Sequence, residues 1–333
     1  MNTPVEDPST SSSKIAITWS PISSTEDIGG DTIIYYSLEW NQGSSVNVFQ
    51  ELTTPNVLVT SYTMTSGFTP GVSYTFRVRA KNSIGLGVYS FTIVVTPASI
   101  PSKMATVATS TVSTSVRIAW DLPNLNGGTI ISYRVWIMKK DGTFNLESTW
   151  CSESDSLMTS NRYCLVRMTD LTGATYNLVK GDLVRARVQA SNAKGFGDLS
   201  DVNTVGATVE TVPNQMTMPL RGALTSGTAI QVTWSAFTSG SSNAGGTTAT
   251  IISYHLQWDA GNSASSTFLD LQGLSPTSTS TSFLRTSGIT GGLTYRFRVR
   301  ARNKYGYGSY SDVLSVVTAL APTAPSTVTT AQE

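Results

Sequence analysis

Tyr295–Ser311 reads YRFRVRARNKYGYGSYS, and Tyr74–Ser90 reads YTFRVRAKNSIGLGVYS. A third version, VRARVQASNAKGFGDLS, lies between them at Val184–Ser200. Aligned on Ala80, Ala190 and Ala301, each has an Asn two residues on (Asn82, Asn192, Asn303). A Gly-x-Gly pair follows (Gly85/Gly87, Gly195/Gly197, Gly306/Gly308), and then a Ser. The copies stand about 110 residues apart, a domain-sized period well above that of a solenoid. Before the Asn the residues alternate: Tyr74, Phe76, Val78 and Ala80 point one way, Thr75, Arg77, Arg79 and Lys81 the other. That is the period of a strand with one buried and one solvated face. The Asn and the glycines supply the positive φ angles of a turn, and a second strand returns. Each repeat is built around this hairpin.

With such a period, 333 residues make three domains. Lys+Arg number 22 and Asp+Glu 21, so no basic field favours nucleic acid or an anionic membrane. Charged residues are only 13% of the chain while Ser and Thr number 94. Such a neutral, hydroxyl-rich, β-prone surface suits an extracellular or cell-surface protein. No run of 18 apolar residues occurs, so no membrane insertion is expected. The opening MNTPVEDPSTSSSK shows no basic or apolar segment of a secretory signal, and no Asn-x-Ser/Thr sequon occurs.

Along the chain, Pro4-Val5-Glu6-Asp7-Pro8 reads as a poor strand, with two prolines and two acids in five residues. A strand ending in Trp follows in each repeat, with Ile15, Ile17 and Trp19 matched by Val116, Ile118, Trp120 and by Ile230, Val232, Trp234. Polar loops ending in Gly29-Gly30, Gly127-Gly128 and Gly245-Gly246 come next. Then come strands carrying Tyr36 and Trp40, Tyr133 and Ile137, and Tyr254 and Trp258. Shorter strands are expected near 46–52 and 62–64, and no helix longer than a turn. Proline-marked linkers at 97–101, 212–214 and 321–325 divide the chain into 1–98, 99–212, 213–320 and a tail, 321–333. They are too short for free flexing, so the domains should stand end to end.

The Trp strand, the Tyr strand and Tyr-x-Phe-x-Val-x-Ala-x-Asn-x-x-Gly-x-Gly-x-x-Ser together resemble fibronectin type III domains, three in tandem. The resemblance implies an all-β chain of immunoglobulin-like sandwiches with seven strands, A to G, in two sheets. Trp19, Trp120 and Trp234, on strand B, should lie buried between the sheets. Tyr74 and Tyr295 match the tyrosine corner, whose hydroxyl bonds to nearby backbone. The middle repeat departs from the pattern, with Val184 for the Tyr and Ala186 for the Phe. It resembles repeats of large surface proteins of ciliated protists.

Candidate chemistry is sparse. Cys151 and Cys164 are the only cysteines and share the middle repeat. Metal or redox use is one reading, and a disulfide stapling the loop between them is the one favoured. It implies an oxidising compartment. His255 is the only histidine, so no Ser-His-Asp or Cys-His arrangement fits. Its register places it on the outward face of strand C as a solvated side chain. Arg296, Arg298, Arg300 and Arg302 share one face of strand F, successive ones roughly 6.6 Å apart. They read either as a stripe for an anionic partner or as a ladder paired with Asp259 and Asp312. Lys180-Gly181-Asp182 resembles an integrin-binding tripeptide but falls at the turn between strands E and F. Glu26, Asp27 and Asp31 suit a solvated loop better than Ca²⁺. No catalytic residue, metal or cofactor is called for.

The expected function is non-enzymatic: an extracellular structural array or filament whose partner is itself, with glycans or other surface proteins as further partners. An adhesin or receptor ectodomain, and accessory domains of a secreted carbohydrate-active enzyme, stay open as alternatives. The tail repeats the linker pattern, with Pro325, Thr327, Val328 and Thr330 in the place of a next strand A. Because the first repeat has a broken segment at that place, head-to-tail strand addition between molecules is one reading, and a segment cut from a longer covalent array is the other.

Overall fold

A computed structural model describes residues 1–45, 48–262 and 266–319 of the chain. It contains three sandwiches, each a three-stranded sheet facing a larger one, with every pairing antiparallel. In the first, Val5–Glu6, Ile15–Thr18 and Ser61–Met64 face Gln50–Glu51, Tyr35–Trp40, Tyr74–Lys81 and Ile93–Val95. The second sets Tyr163–Arg167, Ser115–Ala119 and Ala108–Val112 against Phe144–Leu146, Ser132–Met138, Ala186–Asn192 and Gly195–Phe196. The third repeats the first around Ile230–Thr233 and Thr294–Asn303.

Alternation along the quoted strand is strict: in Tyr74–Lys81 and Thr294–Asn303 every second residue is buried. The buried residues meet the Trp strand across each core. Trp19, Trp120 and Trp234 are each 5% exposed. Their rings lie 6.2, 5.2 and 6.3 Å from Tyr36, Tyr133 and Tyr254. The Tyr74 and Tyr295 hydroxyls accept the backbone N–H of Thr69 (2.7 Å) and Thr290 (2.6 Å), which ties the turn before the strand to the strand itself. The Ser that closes the motif serves the next connection. Ser90, Ser200 and Ser311 accept from the Val78, Val188 and Val299 N–H at 3.1, 3.0 and 3.0 Å, satisfying a ladder position where the returning strand bends away.

Two expectations are corrected. Val5–Glu6 does form strand A, pairing Val5 with Thr18 and Glu6 with Ile17. The prolines flank the two paired residues, so neither removes a donor the ladder needs. The second correction is a helix, Ser156–Asn161, inside the cysteine loop. Asp155 caps its first turn by accepting from the Leu157 N–H (2.8 Å), and Met158 anchors it in the core.

Candidate functional site

The arginine stripe lies over the outer face of the larger sheet in the third domain. It is zipped by aromatic rings. The Arg298 guanidinium stands 4.1 Å from the Phe268 ring centre and 4.0 Å from that of Tyr310. Arg300 lies 4.2 Å from Tyr307 and 4.3 Å from Tyr310, and Arg302 stands 5.3 Å from Tyr307. Beneath them Arg298 donates to Gln257 Oε1 (3.0 and 2.8 Å), whose amide nitrogen passes a hydrogen bond on to Asp270 (2.8 Å). Arg296 pairs with Asp259 at 2.8 Å. Asp312 is exposed and makes no ion pair among the described residues, so the ladder expected from Asp259 and Asp312 is half right. Flat guanidinium and aromatic faces attract each other when stacked, which fixes the side chains in a row.

This covering layer also corrects the reading of His255. Its register on the outward face is right, yet it is 1% exposed, because Tyr307 and Tyr310 close over it with ring centres 5.7 and 5.9 Å away. Its Nε2 lies 2.7 Å from Asp270, and Nδ1 accepts from Arg300 (3.2 Å) with the Tyr310 hydroxyl at the same distance. Burial pulls its pKa below the ordinary value, against the pull of Asp270. The neutral imidazole donates from Nε2 and accepts at Nδ1.

The first domain builds the same layer with Glu39 in the place of Gln257. Glu39 is 6% exposed and accepts from Arg77, Arg79 and Tyr89. Arg77 stacks on Phe49 (3.9 Å) and Tyr89 (3.7 Å).

The joint between the second and third domains centres on Glu210, 1% exposed. Its carboxylate accepts from the Thr248 N–H, from the Thr248 hydroxyl (2.9 Å) and from the Tyr305 hydroxyl (2.8 Å), with the Lys304 ammonium at 3.1 Å. Burial alone would raise its pKa; the Thr248, Tyr305 and Lys304 bonds outweigh that and hold it below the usual carboxylate range. Lys180 adds hydrogen bonds to Asn214 and to the Ser242 carbonyl of the third domain. At the joint of the first and second domains, Ser99 N–H donates to the Asn126 carbonyl (2.9 Å), and Lys194 lies 3.6 Å from Glu6.

Residues 2–96 match the family model for the fibronectin type III domain. The first sandwich is a fibronectin type III domain, and the second and third repeat its motif and sheet arrangement. Its curated relatives include the mouse (Mus musculus) fibronectin type-III domain-containing protein 3A, 27% identical over 95% of this chain and 23% of that protein. The receptor-type tyrosine-protein phosphatase S of Gallus gallus is 28% identical over 91% of this chain and 17% of its own length. A Kelch domain-containing protein of Saccharolobus solfataricus is 33% identical over 44% of this chain and 18% of its own. The chain thus spans less than a quarter of each of these relatives.

Among the remaining sequence candidates, Cys151 and Cys164 form a disulfide. It joins the loop to the strand Tyr163–Arg167 of the second domain, with both residues in the core. The charges of Lys180-Gly181-Asp182 are engaged internally: Asp182 pairs with Lys140 at 2.8 Å, and Lys180 reaches across the joint. Asp31 accepts from the Thr32 N–H (2.8 Å) and the Ser83 N–H (2.9 Å), and Asp27 takes the Ser24 hydroxyl, so both brace loops. Pro325, Thr327, Val328 and Thr330 lie outside the described residues. Sequence reasoning missed Glu39 and Glu210. Glu210 carries no local signal, and Glu39 sits at an outward strand position that normally reads as solvated.

Proposed function

We propose that the chain is a non-enzymatic structural stretch of an extracellular or cell-surface protein, in which fibronectin type III sandwiches stand end to end as a spacer. The observation that carries this reading is the carboxylate of Glu210, buried in the joint and fully engaged by the domain that follows. Parting the domains would exchange these bonds for water; because they outweigh the cost of burial and keep the pKa depressed, the ionised carboxylate favours the closed joint. The joint is therefore stiff at neutral pH. Because the folded-state pKa of Glu210 is depressed, its contribution is complete above the ordinary carboxylate pKa. It is lost only as pH falls through the lower folded value. The disulfide accords with an oxidising compartment, and the resemblance to a receptor-type phosphatase accords with a surface location.

The test is backbone ¹⁵N relaxation on the full chain. The second and third domains should share one rotational correlation time, and Glu210→Ala should give them separate, shorter ones. Independent tumbling in the unsubstituted chain overturns the spacer reading. Filament formation is the further step of this proposal. The strand-addition route has lost its motive, since Val5–Glu6 already pairs with strand B. Electron microscopy of the purified chain, with and without 323–333, tests assembly itself.

A further inference from the structure

In the second and third domains, one end of the sandwich grips the linker entering it. Asn192 Nδ2 donates to the Ser99 carbonyl (2.7 Å), and Asn303 Nδ2 to the Thr211 carbonyl (2.8 Å). Next to them Gly195 faces the Ile100 side chain and Gly306 that of Val212. A Cβ on Gly197 would stand 2.3 Å from the Pro101 carbonyl oxygen, and one on Gly308 would stand 2.5 Å from that of Pro213. The Asn and the Gly-x-Gly of the repeat therefore do more than turn the chain. They form a cradle for an apolar-Pro dipeptide, Ile100-Pro101 or Val212-Pro213. Two residues beyond the Asn, a side chain reaches back to the preceding domain: Lys194 toward Glu6, Tyr305 to Glu210.

The first domain has the same parts. Asn82 Nδ2 donates to the Ile28 carbonyl (3.0 Å), as Asn303 Nδ2 does to that of Ala244 (2.9 Å). A Cβ on Gly87 would meet only the Ala80 carbonyl oxygen, at 3.4 Å. The place of Lys194 and Tyr305 is held by Ile84, 86% exposed, and that of Asp198 and Ser309 by Val88, 82% exposed. With Ile22, Ile33 and Leu86 they line a groove of about 410 Å³.

We propose that this end of the first domain is a docking surface for the exit linker of another fibronectin type III domain. The occupant is an extended segment with an apolar-Pro dipeptide in the register of Ile100-Pro101. The proposal rests on the end-to-end spacer reading and adds the surface through which the array continues. Apolar side chains at 84 and 88, where the other domains carry charged or polar ones, select an apolar face on that neighbour.

Strand A sets the register for a test. Glu6 pairs with Ile17 as Thr109 pairs with Ile118, which makes Met1 the counterpart of Met104. A copy of the five residues 99–103 grafted directly before Met1 of the full chain therefore brings Ile-Pro to the cradle. Hydrogen exchange of the amides of 82–88 should slow roughly tenfold, equivalent to about 1.4 kcal/mol. Gly87→Ala fits the ungrafted chain at a 3.4 Å contact and should cancel the slowing, because its Cβ would meet the grafted Pro carbonyl. No slowing in the grafted chain overturns the proposal, and so does slowing that survives Gly87→Ala. The shared tumbling of the second and third domains, measured on the same samples, reports on the spacer reading independently.

Discussion

Glu39→Gln tests whether charge holds the outer layer of the first domain. Glu39 Oε2 accepts from Arg77 Nε (3.0 Å) and Nη2 (2.7 Å), while Oε1 accepts from Arg79 Nη2 (3.0 Å) and the Tyr89 hydroxyl (2.7 Å). A glutamine keeps the shape but has one oxygen. With its NH₂ in the place of Oε2 it faces two Arg77 donors, and in the place of Oε1 it faces Arg79 and a Tyr89 hydroxyl that can turn to accept, so one or two of the four bonds are lost and the rest are made by a neutral amide. Hydrogen bonds to charged groups contribute roughly 1.5–3 kcal/mol. The Arg77 and Arg79 side chains, however, keep 26% and 23% of their exposure, so water compensates much of the loss. The net cost should be about 2 kcal/mol rather than the sum of the bonds. For a domain of this size that lowers the thermal midpoint by about 10 °C. Hydrogen exchange along 74–81 against temperature reads the first domain alone, with the other two domains as internal controls. An unchanged midpoint would refute the reasoning and leave ring stacking as what holds the layer.

Trp234→Ala should destabilise the third domain by about 3–5 kcal/mol, as expected for a large aromatic removed from a core; denaturant unfolding followed in that domain checks it, and a change within about 0.5 kcal/mol would contradict the packing. Replacing Cys151 and Cys164 together by Ala should cost the second domain about 3 kcal/mol for a loop of this length, seen as faster exchange along 163–167. The depressed pKa of buried His255 has the opposite sign to the usual histidine case. The third domain should be most stable above the ordinary histidine pKa and weaken as pH falls below it, because the unfolded chain takes up the proton first. Asp270, Arg300, Tyr307 and Tyr310 face the ring. Unfolding at pH 7.5 and 5.5 should show the loss in the natural chain and not in His255→Gln.

The hairpin motif made the fold legible because its residues act locally. Alternation, Asn and Gly-x-Gly each state a backbone requirement that holds wherever the hairpin sits. The tyrosine corner is also local, since Tyr295 bonds five residues back, to Thr290. What the sequence concealed depends on side chains layered from several strands. His255 is at an outward position and still buried, because Tyr307 and Tyr310 arrive from the returning strand and Arg300 from the neighbouring one. Strand period distinguishes the two faces of a sheet but does not reveal when the outer face is covered. Glu210 was concealed for a similar reason: three of its hydrogen bonds come from two residues, Thr248 and Tyr305, 38 and 95 positions away in the next domain.

The middle domain shows the same limit inside a core. In the outer domains Trp40 stacks on Tyr74 at 5.3 Å, and Trp258 on Tyr295 at 5.7 Å, with Phe76 and Phe297 beside them. In the middle domain the corresponding residues are Ile137, Val184 and Ala186, all fully buried. Three rings are lost together, and packing at interior density requires something to fill their volume. The cysteine loop supplies it: Cys151, Cys164 and Met158 join the same core, with Met168 and Leu171 from the chain that follows. The corner hydrogen bond is replaced as well: Val179, which stands where Thr69 and Thr290 do, donates its N–H to Asp182 Oδ2 (2.8 Å). Asn203 braces the strand itself, accepting from the Ala186 N–H (2.7 Å) and donating to the Val184 (2.9 Å) and Val205 (3.0 Å) carbonyls. The disulfide loop and the missing aromatics are therefore one substitution. Restoring Tyr at 184 and Phe at 186 should overpack this domain rather than strengthen it, by roughly 1–3 kcal/mol, unless the loop is shortened with them. A gain in stability from those two changes alone, measured by denaturant unfolding, would show that the loop and the ring stack occupy separate space.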